Sequence, residues 1–198
     1  MKSEKNIVYH GSSFAGLKRL EPFKCKHDKA YVYASKYYWV ILFFSAKGKG
    51  KYDGWLDAED DGTPIFYEAR PNAFKERYSG KSGFCYQLPA DTFTDATGDS
   101  TEVVSETGVD VISCKEIKDV GAEFEKLIQE GKFHLVAYNT SKYNTEEICN
   151  KYILKLLEKR GHFTGKDVNH KAWVNEYYKD LISNYQKKKQ MLVGNKND

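Results

Sequence analysis

No run of apolar residues in this chain is long enough to cross a bilayer. The best candidate, Tyr37 to Ala46, is about half of the roughly 20 residues a spanning helix needs. Met1-Lys2-Ser3-Glu4-Lys5 leads into a strand candidate rather than an apolar export segment, so a cytoplasmic protein with no membrane partner is expected. Cys25, Cys85, Cys114 and Cys149 are widely spread and form no C-x-x-C pair, which excludes a zinc ribbon or dithiol redox motif and fits reduced thiols. The chain has no H-E-x-x-H, no G-x-S-x-G and no P-loop. Asp57, Glu59, Asp60 and Asp61 lack the spacing of a calcium loop and read as a hairpin tip. No metal is expected, and His27, His134, His162 and His170 take no role.

A net charge of +3 on 198 residues is too small to mark a nucleic-acid binder. Residues 141–198 carry 12 Lys/Arg against 7 Asp/Glu, leaving 19 against 21 for residues 1–140. That basic end suits a solvated helical surface, or else an approach to an acidic partner or RNA. Aromatic residues make up 15% of the chain, with 15 tyrosines, which favours a sheet-rich body because such rings fit a half-buried pleated surface. The length fits one domain, or one domain with a helical appendage.

Patterning predicts strands over residues 6–13, 30–35, 64–70, 83–88, 101–105 and 109–114, with helices over 37–46 and 121–130. Tyr38, Ile41, Leu42 and Ser45 share one face of the first helix, and Asp61-Gly62 signals a hairpin. Asn144-Thr145-Glu146-Glu147 has the form of a capping box, with Asn144 as the cap. Ile148, Cys149, Tyr152, Ile153, Leu156 and Leu157 then recur at helical spacing. A second helical face follows in Trp173, Val174, Tyr177, Tyr178, Leu181, Ile182 and Tyr185. Packing through the Ile148/Tyr152/Leu156 and Trp173/Tyr177/Leu181 stripes is expected.

Three short motifs stand at predicted strand ends: Tyr9-His10-Gly11-Ser12, Val32-Tyr33-Ala34-Ser35 and Thr101-Glu102-Val103-Val104-Ser105. Alone, each is also what a strand running into a turn looks like. Together and in this order, His10, Tyr33 and Glu102 resemble the H-Y-E signature of the ADP-ribosyltransferase superfamily, over about the first 135 residues. Phe66 to Phe74 and Tyr86 to Phe93 are similar to bacterial and phage members as well.

The resemblance implies an α+β fold of split mixed and antiparallel sheets with flanking helices. Residues 1–140 would form the catalytic domain and residues 141–198 a C-terminal helical extension packed on it. NAD would be the substrate, held by His10, Gly11, Ser12, Tyr33, Ala34, Ser35 and Phe44, with His10, Tyr33 and Glu102 as the catalytic set. Gly11 would let the nicotinamide amide approach the backbone, as a residue with a Cβ cannot. Tyr33 and Phe44 would hold the pyridinium ring. Glu102 would grip the ribose 2′-hydroxyl and stabilise the cationic transition state. Glu106 competes for that role, but along a strand it lies roughly 13 Å away. The lysine-rich loop 14–29 (Lys18, Arg19, Lys24, Lys26, Lys29) is a candidate for the pyrophosphate or a solvated loop. Ser100 stands where arginine-modifying members carry a second glutamate, which argues against arginine as acceptor. Protein, nucleic acid and small-molecule acceptors remain open, as do toxin, phage-defence and housekeeping roles. The alternatives are an RNA 2′-phosphotransferase on the same fold and a non-catalytic binding module.

Overall fold

The computed structural model describes residues 6–25, 28–46, 52–166 and 171–194. Lys26 of the basic loop, His27, His170 and the Trp173 side chain lie outside the described residues. The elements, in chain order, are β1 (Ile7–Ser12), β2 (Arg19–Leu20), β3 (Phe23–Lys24), β4 (Ala30–Ala34) and α1 (Tyr38–Ser45). β5 (Gly54–Ala58), β6 (Pro64–Glu68), α2 (Ala73–Tyr78) and β7 (Gly83–Pro89) follow. Then come β8 (Val103–Ser105), β9 (Val109–Asp110), β10 (Ser113–Ile117), α3 (Val120–Gln129), β11 (His134–Val136), α4 (Glu146–Lys159) and α5 (Lys171–Gly194). The chain is α+β, with several small antiparallel sheets and five α-helices among the described residues. No helix among them is long and apolar enough to cross a membrane.

The described residues divide into two compact units that alternate along the chain. One draws on Met1–Gly48, Ala58–Ile65 and Phe74–His134; the other on Lys49–Asp57, Phe66–Ala73 and Leu135–Asp198. The division is therefore not a single cut after residue 140. The C-terminal helices cluster with two segments from the middle of the chain, because the apolar residues they bury against are there.

In the first unit β7 is central to the antiparallel sheet β1-β7-β10, pairing His10 with Tyr86 and Gly11 with Cys85. A second sheet, β3-β4-β8, pairs Tyr33 with Val104 and Ala34 with Val103. The two sheets meet where Tyr9, within β1, and Ser35, just after β4, exchange both backbone hydrogen bonds at 2.8 Å in an antiparallel bridge. Val8, Leu20, Val32, Ala34, Leu88, Val103 and Val109 form one buried cluster of this unit. The predicted strand over 109–114 is two strands, β9 and β10.

Helix α1 buries Val40, Ile41, Leu42 and Ser45. It approaches β1 and β7 so closely that a Cβ on Gly11 would lie 2.2 Å from the Ile41 carbonyl oxygen, and one on Gly83 2.3 Å from that of Ser45. Its Phe43 joins Phe74, Tyr78, Phe124 and Phe133 in an aromatic cluster; Phe74–Phe124 and Phe43–Phe124 centroids lie 4.8 and 4.9 Å apart in edge-on geometry. The hairpin signal corresponds to the turn between β5 and β6. Gly62 there has φ +84°, and Asp61 accepts a 2.8 Å bond from the Thr63 amide.

In the second unit the face that α4 buries is Cys149, Ile153 and Leu157, and in α5 it is Val174, Tyr178 and Ile182, together with Tyr52 and Ala69. The buried stripe is thus one residue on from Ile148/Tyr152/Leu156 and Tyr177/Leu181. Ile148 and Tyr177 are exposed, while Tyr152, Leu156 and Leu181 flank the cluster half-buried. The helix cap also moves: Thr145 Oγ1, not Asn144, accepts from the Ile148 amide. Asn144 is fully buried and spends its amide on the Ala137 carbonyl, at 2.7 Å, and on Ser141. Inside the same unit Arg70 and Asp53 form a buried ion pair at 3.1 Å, and the Arg70 guanidinium lies 4.1 Å over the Tyr177 ring.

Candidate functional site

A cleft of about 430 Å³ opens in the first unit. The end of β1 supplies His10, Gly11 and Ser12, and the end of β4 supplies Tyr33, Ala34 and Ser35. Helix α1 adds Phe44, and Glu102 stands immediately before β8. All eight residues singled out in the sequence line this one hollow, because the Tyr9–Ser35 pairing brings the two strand ends together.

Hydrogen bonds fix the relative placement. His10 Nδ1 lies 2.8 Å from the Tyr33 carbonyl. A carbonyl only accepts, so Nδ1 carries the proton and Nε2 keeps its lone pair. Burial lowers the His10 pKa below its ordinary value and outweighs the opposing effect of the Tyr33 carbonyl, so the ring is neutral near pH 7. Burial also raises the Tyr33 hydroxyl, assisted by Cys25 and Glu102 nearby, and the phenol stays protonated.

Glu102 lies just outside the strand predicted for it, which begins at Val103. Its amide donates to the Asp99 carbonyl at 3.1 Å, and Asp99 Oδ1 accepts from the Thr101 amide and hydroxyl at 3.0 and 2.7 Å. This tight turn ends at Glu102 and fixes its backbone. Glu106 does not line the cleft: it is an exposed partner of Lys29 at 2.8 Å.

Three expected ligand contacts prove to have internal work. The Ser35 hydroxyl is buried; it donates to the Thr101 carbonyl at 2.7 Å and accepts from the Tyr37 amide at 3.0 Å. Gly11 is glycine because α1 occupies the space a Cβ would need. Ser12 Oγ accepts from the Phe14 amide at 3.1 Å.

Residues missed in the sequence are Phe14, Phe23, Cys25 and Asp99, which line the cleft without any period or motif to mark them. Phe14, Phe23 and Phe44 are 65%, 51% and 66% exposed, so the cleft has an aromatic rim. Among the described residues no lysine or arginine lines it, whereas Asp99 and Glu102 do. In the basic loop Arg19 is engaged by Glu21 and Asp110, and Lys29 by Glu106. The arrangement therefore suits a ligand with flat rings and positive charge. Compared with known proteins, the chain matches no family model, no curated protein and no solved structure.

Proposed function

We propose that this chain is an NAD-dependent ADP-ribosyltransferase of the H-Y-E type, acting as an NAD glycohydrolase when no acceptor is present. The observation that carries the reading is the convergence of His10, Tyr33 and Glu102, from three separate strand ends, on one cleft. Two separate antiparallel sheets, joined by the Tyr9–Ser35 bridge, support the split-sheet fold of that superfamily.

In this reading His10, with Nδ1 committed to the Tyr33 carbonyl, offers Nε2 as an acceptor to a hydroxyl of the adenosine ribose. Tyr33 and Phe44 take the cationic nicotinamide ring, whose charge is attractive to an aromatic face. Nicotinamide leaves with the electron pair of its bond to ribose, and positive charge then develops on the sugar. The Glu102 carboxylate opposes that charge and holds the 2′-hydroxyl; water or an acceptor adds at the same carbon and loses a proton. Ser35 and Asp99 hold the backbone that carries Glu102.

The test is incubation of the purified chain with NAD and detection of free nicotinamide. Glu102→Gln keeps size and hydrogen bonding but removes the charge, and is expected to slow release about 10²–10³-fold with an unchanged melting temperature. Equal rates would remove Glu102 from the mechanism. Labelled NAD with cell lysate, with and without nuclease, then separates protein from nucleic-acid acceptors.

A further inference from the structure

We infer that Phe14 is the platform on which the adenine ring of the dinucleotide stacks, an assignment that rests on the NAD reading above. An exposed phenylalanine by itself is ordinary. Phe14 differs in three ways. The residue is 65% exposed yet lines the cleft. Its backbone is fixed at both polar groups: the amide donates to Ser12 Oγ at 3.1 Å, and the carbonyl accepts from the Tyr86 hydroxyl at 2.6 Å. Tyr86 is itself fully buried on β7, so the anchor is part of the core rather than of the loop. A ring held outward by a fixed backbone loses little freedom when a ligand covers it.

Position decides which ring it takes. Phe44 and Tyr33 stand at the end assigned to nicotinamide, and Phe23 packs on Tyr33 with centroids 5.4 Å apart. Phe14 lies four residues beyond His10, on the segment that leaves β1. With His10 on the adenosine ribose, the next flat surface along that segment is Phe14. Stacking tolerates any base with a π-face and needs no cation, which matches a lining with no lysine or arginine among the described residues.

The experiment measures the affinity of the full chain and of Phe14→Ala for AMP and for nicotinamide, by calorimetry, with the KM for NAD alongside. Phe14→Ala is expected to weaken AMP about tenfold, the scale of one base–aromatic stack, while nicotinamide binding stays as it was. The KM for NAD rises correspondingly, and Phe14→Trp restores both. An unchanged AMP affinity in Phe14→Ala, or an equal loss for AMP and nicotinamide, overturns the assignment while leaving NAD cleavage standing. A wild-type chain that neither binds AMP nor releases nicotinamide from NAD overturns the NAD reading and this inference with it.

Discussion

Ser35 Oγ donates a 2.7 Å hydrogen bond to the carbonyl of Thr101, the residue before Glu102. The same residue pairs through its backbone with Tyr9, the neighbour of His10, and lies two positions after Tyr33. One buried serine thus connects all three strand ends that form the cleft.

Replacing it should therefore act through Glu102. Ser35→Ala removes a buried bond worth about 1 kcal/mol and leaves the Thr101 carbonyl less well held. Under the proposed NAD reading, nicotinamide release should fall several-fold in kcat, with a smaller change in KM. The decisive measurement is the same substitution in a Glu102→Gln background, where it should cost nothing more in rate. A further loss there would show that Ser35 acts on folding alone.

Gly11→Ala should unfold or severely destabilise the protein, because the new methyl group would come closest to the Ile41 carbonyl oxygen, which is backbone and cannot swing aside. Gly83→Ala, which meets the Ser45 backbone but does not line the cleft, is expected to do the same. Thermal melts of both variants check this. A stable Gly11→Ala protein that had lost only ligand binding would return the glycine to a ligand role.

Acidification should destabilise the fold through His10. Its folded pKa lies below the ordinary 6.5, so between those two values the unfolded chain binds more protons than the native one. That contribution to stability is complete above pH 6.5 and is lost as pH falls toward the folded pKa. His10→Gln, which cannot titrate, should show a flatter melting temperature between pH 7 and 5. Identical slopes would mean that other groups dominate the acid response.

Asp53→Ala should cost about 3–5 kcal/mol, because it leaves the buried Arg70 guanidinium without its carboxylate. Replacing both residues with apolar ones of similar volume should cost much less. Denaturant unfolding of the two variants distinguishes an ion pair that stabilises the unit from one that is only tolerated there.

The order of polar residues at strand ends was readable because strands have a period of two and end at turn residues. The grouping of His10, Tyr33 and Glu102 comes instead from the resemblance of the three motifs, in that order, to the H-Y-E signature. What the sequence did not reveal depends on distant pairing. Asn144 looks like a helix cap, but its amide is drawn to Ala137 and Ser141 instead, and the cap passes to Thr145. Cys149, Ile153 and Leu157 lie inside the same amphipathic stripe as Ile148, Tyr152 and Leu156, and only the positions of Tyr52 and Ala69 decide which half is buried. Phe14 has no signal at all, since its placement comes from a hydroxyl 72 residues away.

The alternation of the two units has a consequence for the order in which the protein is made. Every residue lining the cleft falls between Tyr9 and Glu102, and the last segment of that unit ends at His134. A ribosome therefore delivers the whole cleft before it begins α4. Tyr52 and Ala69 leave the tunnel early too, but the side chains that cover them, up to Ile182, arrive only after several more seconds at roughly 5–20 residues per second. For that interval the nascent chain carries every residue of the cleft and, in its other unit, an unfinished apolar surface. A pause in translation between residues 134 and 182 thus exposes the partly made protein to aggregation or chaperone capture, and synonymous codon changes in that stretch are where yield should be most sensitive.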